Sequence, residues 1–425
     1  MKILMYCLNY APELTGIGKY TTEQAEWLAG RGHEVRVIAA PPYYPAWKIG
    51  DGYRAWQYRR EHIHGVDVWR TPIWIPAHRS GLLRLLHLAS FALSSLPVLA
   101  RQLWWRPDVV FMVEPPLMCA PAGTLLSRCC GSKAWLHIQD YEVDAAFALG
   151  MLRRPWLRWL AMRFERFLLK QQDRVSSVSP PMVALAIKKG SHPSRAILLP
   201  NWAVLHDTPA ESAAAMRDEL GIPRDTVLVL YAGNMGAKQG LEQLSAAAAL
   251  LRDQADIHFV FCGDGAGRPE LEAACAGRAR VQFLPVQDTE RFQALLAAAD
   301  IHLLPQRADV SDLVMPSKLT GMLASGRPVV ATAVPGSALA DVVDRCGVVV
   351  APGDVQAFAQ AITVLAADPA QRTALGMAGQ AWAQRHLERD VVLTRFEQSL
   401  RAVRANIKDG ASADTCGGAL ESWRS

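Results

Sequence analysis

Twice in this chain an apolar run of strand length ends in a glycine-bearing turn and passes into an amphipathic helix. That recurrence limits the fold more than any other feature. The first instance is Lys2–Leu8, the loop Asn9–Gly18, and a helix over Lys19–Arg31 stopped by Gly32, with a second strand at Glu34–Ala40. The second is Thr226–Ala232, the turn Gly233–Gly240, a helix from Leu241, and a strand at Ile257–Cys262. Strand–turn–helix–strand units of this kind build parallel sheets with helices on both faces. Further apolar runs extend each half: Val66–Thr71, Asp108–Val113 and Lys133–Gln139, then Val281–Pro285, Ile301–Pro305 and Pro328–Ala331. At 425 residues the chain exceeds one comfortable core, so an α/β protein of two doubly wound domains is expected. The boundaries read as 1–205 and 206–390, a last helix over 391–407 packing back on the first domain, and a disordered polar tail over 408–425.

The stretch Met315–Thr332, MPSKLTGMLASGRPVVAT, carries the sharpest chemistry. Pro316 suits the first turn of a helix, and Gly326 stops it before the strand that begins at Pro328. Ser317 and Lys318 then lie at the open, positive end of that helix, where an anion is held. The turn Gly233-Asn234-Met235-Gly236-Ala237-Lys238-Gln239-Gly240 reads as a phosphate cradle of backbone N–H groups, without the spacing of a P-loop. A second glycine turn with Asp264, and the strand exit at Phe283 and Leu284, converge on the same rim. Gly16 and Gly18 give GxG without a third glycine, which fits either close backbone approach to a sugar or diphosphate or a plain tight turn. His137-Ile138-Gln139-Asp140-Tyr141-Glu142-Val143-Asp144 crowds ionisable groups at a strand exit. His137 and Asp140 are candidate catalytic groups, Gln139, Glu142 and Glu114 candidate acceptor contacts, and Asp144 reads as a helix cap. No DxD stands at a strand end, and no metal site is expected.

Charge is uneven: residues 1–200 carry a net +11 and residues 201–425 a net −6. The basic half contains two unusual helical stretches. Gly81–Trp105 is apolar almost all round and approaches a bilayer span in length, but Arg84, Arg101 and Pro97 argue against spanning. Met151–Gln172 sets six basic residues against one acid among Trp156, Trp159, Phe164 and Phe167. Both fit either an anionic membrane interface or packing on the sheet with arginines reaching outward; surface attachment is favoured. No nucleic-acid module is visible. MKILMYCLNY reads as a first strand rather than a signal peptide, and the eight cysteines show no CxxC pair. Buried free thiols and a cytoplasmic protein, peripherally attached to the inner membrane, are expected.

Together APELTGIGKYTTEQAEWLAGRGHEV, GNMGAKQGLE, HIQDYEVDAAFALGML and MPSKLTGMLASGRPVVAT resemble the GT-B glycosyltransferases of family GT4, over nearly the whole chain. That resemblance implies two Rossmann-like domains facing a central cleft, and a retaining transferase using a nucleotide-sugar donor without a metal. It is closer still to the colanic-acid members. These imply a fucosyltransferase that takes GDP-fucose and extends an undecaprenyl-diphosphate-linked glucose. Asn234 and Gln239 stand where most of the family carries Arg and Lys, and the family's paired glutamates fall at Leu313 and Gly321. Lys318 with Ser317 is therefore expected to neutralise the diphosphate with Lys238, and Asp309 or Asp312 to contact donor hydroxyls. A UDP-sugar-dependent transferase, a GT-B nucleotide-sugar epimerase and a non-catalytic scaffold are the competing readings.

Overall fold

The computed structural model describes residues 1–13, 16–77, 81–148, 155–202, 208–236, 239–307 and 317–406. Lys238, Asp309, Asp312 and the 408–425 tail lie outside them. The chain divides into two compact units. Among the described residues, unit 1 is Met1–Pro200 with 393–406, and unit 2 is Asn201–Val392.

Unit 1 runs β1 (Lys2–Tyr6), α1 (Gly16–Gly30), β2 (Glu34–Ala39), β3 (Arg59–Ile63), β4 (Val66–Arg70), α2 (Gly81–Ser94), α3 (Leu96–Trp105), β5 (Val109–Glu114) and α4 (Ala120–Cys130). It continues with β6 (Lys133–Ile138), α5 (Glu142–Ala148), α6 (Pro155–Gln171), β7 (Arg174–Ser177), α7 (Pro180–Lys189) and β8 (Ala196–Leu198). The sheet order is β3-β4-β2-β1-β5-β6-β7-β8, parallel except for the antiparallel β3–β4 pair. An all-parallel sheet was expected; the short loop at His64 and Gly65 can only turn a hairpin, which forces that edge antiparallel. β3, β7 and β8 are strands the hydropathy pattern did not reveal, since RREHI is largely exposed and β7 is polar.

The 81–105 stretch is two helices, not one. By length and composition Leu82–Trp105 could cross a membrane. In the fold it breaks at Ser95, and Leu88, Phe91, Val98 and Leu99 enter the core with Tyr6, Val110, Met112 and Leu136 of the sheet. Five of the described cysteines are buried as expected, whereas Cys129 is exposed on α4.

Unit 2 runs α8 (Ala210–Glu219), β9 (Val227–Ala232), α9 (Leu241–Leu250), β10 (Ile257–Cys262), α10 (Arg268–Ala274), β11 (Val281–Leu284), α11 (Thr289–Ala298) and β12 (Ile301–Leu304). Then come α12 (Ser317–Ala324), β13 (Val329–Thr332), α13 (Ala338–Val343), β14 (Gly347–Val350), α14 (Val355–Ala367), α15 (Pro369–Leu387) and α16 (Arg389–Arg404). All pairs in its sheet are parallel, in the order β11-β10-β9-β12-β13-β14. Strand order reverses between β9 and β12, and ligands of open α/β sheets bind outside the carboxyl ends of the strands at such a switch point.

From Leu393 on, α16 belongs to unit 1. Phe396 packs edge-on against Phe111 and Trp135, with ring centroids 5.1 and 5.4 Å away. Beside it the buried Glu397 meets His33 at 3.0 Å, Arg31 at 3.3 Å and Arg401 at 2.6 Å. Burial alone would raise the Glu397 carboxyl, but the hydrogen bonds from Arg401 and His33 outweigh it and hold the pKa at about 2. A depressed carboxylate stabilises the fold above its unfolded pKa, and that stability is lost as pH falls toward 2. Glu397→Gln should lower the melting temperature of unit 1 at pH 7 by about 4–8 °C, for a loss of about 2 kcal/mol. The difference from wild type should shrink to nothing in melts taken between pH 4 and pH 2.

Candidate active site in the second unit

The turn after β9 and the turn after β10 are laced together by their backbones. Gly233 N–H donates to the Cys262 carbonyl (2.9 Å), Met235 N–H to the Asp264 carbonyl (2.8 Å), and Gly267 N–H to the Met235 carbonyl (2.8 Å). The approach is so close that a Cβ on Gly263 would lie 2.0 Å from the Gly233 carbonyl oxygen. Two of the N–H groups expected to cradle phosphate are thus already engaged within the fold. The anion-binding task at this rim passes to a side chain.

That side chain is Lys318. It lies in the first turn of α12, and its stem fills the space where Gly233 has no side chain; a Cβ there would meet the lysine Cε at 2.6 Å. Gly233 also has φ +138°, which disfavours any other residue. The ammonium donates to the Tyr231 hydroxyl (2.7 Å), the Gln239 side-chain oxygen (2.8 Å) and the Asn234 carbonyl (3.3 Å), and sits 4.4 Å from the Tyr231 ring centroid. The Tyr231 hydroxyl in turn donates to the Asn234 carbonyl at 2.7 Å. All of these acceptors are neutral. Burial therefore pulls the Lys318 pKa down to about 7. A cation in the first turn also opposes the helix dipole. A lysine kept where both burial and the dipole work against its charge is an anion site in waiting.

β9 and β12 flank the switch point, so Gly233, Asn234, Gln239 and Lys318 come together on one rim. α12 begins at Ser317. Asp264 is exposed and caps its own turn, its carboxylate accepting from Gly265 N–H at 2.7 Å. Phe283 and Leu284 are half-buried at the end of β11. The Phe283 ring packs edge-on against Phe261 at 5.5 Å, and Leu284 joins the other face of the core. Tyr231 was not anticipated. The signal for it was a polar-tipped ring closing an otherwise aliphatic strand, VLVLYA.

In unit 1 the expected acceptor-side residues divide. His137 is buried, stacked on Phe111 at 5.6 Å and bonded to Ser176 (2.9 Å) and Gln139 (2.9 Å). Burial holds its pKa down at about 3, so it is a neutral core residue and not an acid or base at a ligand surface. Glu114 is likewise fully buried. It accepts from Glu142 N–H at 3.2 Å, and burial with the neighbouring Glu142 raises its pKa well above the usual range. The register pairs Val113 with His137 and Glu114 with Ile138, so the two side chains point to opposite faces of the sheet, and both faces are covered. Asp140 and Gln139 are half-buried on the bend before α5, and Glu142 accepts from Leu117 N–H at 2.7 Å. Gly16 opens α1 with φ +61°, and Gly18 is packed on Glu13, which would lie 2.9 Å from a Cβ there. Glu13 itself was missed; its carboxylate gathers Tyr43 N–H (2.8 Å), Tyr44 N–H (2.9 Å) and Asn9 (2.8 Å), fixing the first glycine loop. Among the described residues no three His, Cys, Asp or Glu side chains group as a metal site.

Gly233→Ala must displace Lys318 and strain the backbone, costing about 2–3 kcal/mol of stability together with nucleotide affinity, as thermal shift with and without nucleoside diphosphate would report. An anionic ligand binds the charged lysine. Above pH 7 the free protein must first take up a proton, so calorimetric affinity for a nucleoside diphosphate should fall by about tenfold per pH unit.

Comparison with known proteins fits this geometry. Residues 15–202 match the glycosyl transferase 4-like domain and residues 226–368 the glycosyl transferases group 1 domain. The chain is 42% identical over 413 residues to the putative colanic acid biosynthesis glycosyl transferase WcaI of Escherichia coli K12, covering 94% of this chain and 100% of that protein. It is 32% identical to a D-inositol 3-phosphate glycosyltransferase of Xylanimonas cellulosilytica over 87% of this chain and 88% of the relative. Among solved structures, sucrose-phosphate synthase from Thermosynechococcus elongatus superposes with TM-score 0.73 at 20% identity, covering 96% of this chain and 100% of that one. Anabaena Alr3699/HepE in complex with UDP gives 0.69 at 16%, covering 95% and 100%. The chain is an enzyme of the GT4 family of glycosyltransferases, with the GT-B fold.

Proposed function

We propose that this enzyme transfers L-fucose from GDP-fucose to an undecaprenyl-diphosphate-linked saccharide during assembly of a colanic-acid-type exopolysaccharide. The observation that carries the donor side is Lys318, an ammonium stored among neutral acceptors at the switch point of unit 2. As the bond between the sugar and the diphosphate breaks, negative charge grows on the leaving group, and a lysine already in place stabilises it without reorganisation. The acceptor hydroxyl attacks from the face the diphosphate leaves, so configuration is retained. The 42% identity to WcaI, over the whole of that protein, supports the polymer.

The surface of unit 1 supports a seat on the cytoplasmic face of the inner membrane. Trp104 is 82% exposed, Leu82 and Leu93 68%, Leu125 63%, and Trp156 and Trp159 59% each. The exposed basic residues Arg101, Arg128, Arg158, Arg163, Arg166 and Lys170 stand among them on α3, α4 and α6. Apolar rings interleaved with cations match an anionic lipid interface.

A radiolabelled GDP-fucose assay with polyprenyl-diphosphate-glucose should give transfer that is abolished by Lys318→Ala. HepE structures with UDP and UDP-glucose favour a UDP-sugar as the second reading of the donor. Transfer from a UDP-sugar and none from GDP-fucose would establish it. Replacing Trp156 and Trp159 by Ala should weaken sedimentation with phosphatidylglycerol vesicles by about tenfold or more.

A further inference from the structure

Helix α5 has seven residues, too few to hold itself in water. It is suspended from unit 1 by polar ties. Glu142 is bonded to Glu114 and to the Leu117 N–H, and the Tyr141 hydroxyl donates to the Met182 carbonyl at 2.6 Å. Asp144 pairs with Lys189, the last residue of α7, at 2.5 Å. The same ammonium pairs with Glu165 of α6, also at 2.5 Å, and lies 5.3 Å from the centroid of the Tyr141 ring. One nitrogen therefore joins α5, α6 and α7.

What α6 does with its other residues gives this junction a direction. From Pro155 to Phe164 not one residue is buried; the buried positions are Glu165, Leu168 and Leu169. The outer half of the helix is the exposed run of Trp156, Trp159, Leu160 and Phe164 with Arg158 and Arg163 between them. Followed inward, the first point at which α6 enters the fold is a carboxylate that is 2% exposed and shares its counter-ion with α5. Apolar packing would anchor a helix as well as a buried ion pair does, so the shared lysine is not explained by stability.

We propose that Lys189 is a positioning residue that couples the outer, lipid-facing half of α6 to α5 and to the Gln139–Glu142 segment ahead of it, so that seating on lipid sets the acceptor side of the site. The proposal rests on the reading that unit 1 meets a lipid surface and holds the acceptor. A shift of the outer half of α6 moves Glu165; Lys189 follows it and carries Asp144 along.

The test measures sugar transfer by the full chain to a short, water-soluble prenyl-diphosphate-sugar, with and without phosphatidylglycerol vesicles. Wild type should show an acceptor KM at least about fivefold lower with vesicles, within the usual range of coupling between two sites. Lys189→Met should still sediment with the vesicles and keep the lipid-free kcat and donor KM, yet lose the vesicle-dependent fall in acceptor KM. Asp144→Asn, at a half-exposed and milder position, should lose the same response at an unchanged melting temperature, and Lys189→Arg should regain part of it. Variants that respond to vesicles as wild type does would overturn the coupling. So would a fall in lipid-free kcat, or a rise in donor KM, that parallels the loss of response, which marks a purely structural ion pair. Wild type that transfers sugar but neither binds nor responds to vesicles would instead overturn the lipid reading beneath it.

Discussion

An ammonium buried with no carboxylate against it among the described residues is the constraint around which unit 2 is arranged. Taking the charge of Lys318 out of water is unfavourable, and three neutral oxygens offset that only in part. The surroundings are shaped to tolerate it. Gly233 lacks the side chain that would collide with the stem, Tyr231 offers both a hydroxyl and a ring face, and Gln239 lends its amide oxygen. The interlocked glycine turns after β9 and β10 make the slot rigid, because the backbone at Gly233 and Met235 fills the space a Cβ would need at Gly263, Gly265 and Gly267. A diphosphate brings the full negative charge that the resting slot lacks, and so the lysine gains most from a ligand whose charge increases as it departs.

Much of this was legible in the amino-acid order, for identifiable reasons. Buried parallel strands read as continuous apolar runs, so β1, β2, β5, β6, β9, β10, β12 and β13 stood out. β7, RVSS, did not, because its polar side chains are satisfied inside the fold: Ser176 bonds Trp135 and His137, and Ser177 the Ile138 carbonyl. The short edge hairpin at β3 was hidden by its exposed arginines. Lys318 could be placed at a helix start from its neighbours Pro316 and Ser317, while its three acceptors could not, since Tyr231 lies 87 residues away in the chain. His137 and Glu114 show the opposite error. A strand exit indicates where a residue sits along the strand but not what covers it; these two side chains lie on opposite faces of the sheet, and both faces are buried.

Unit 1 uses its charge differently on its two sides. Inside, Arg70 is buried and ties the Ala40 carbonyl and Glu61 to the first loop, beside Glu13 and its three donors. Outside, the arginines of α6 remain in solvent among aromatic rings. The net +11 of the first half is therefore partly structural and partly presented, and only the presented fraction bears on what the surface attracts.

The ownership of α16 reaches beyond the static fold. Phe396 covers Phe111 and Trp135, and Glu397 closes on Arg31 and His33, so a piece of the first unit is supplied by residues more than 190 positions after Pro200. During synthesis, unit 1 emerges from the ribosome with that aromatic face bare, and it stays bare while all of unit 2 is made. The second unit, uninterrupted in the chain, can fold as soon as it is complete; the first must wait until α16 has been made. For a chain that also carries exposed tryptophans, that interval is when chaperones or an early lipid contact would matter most.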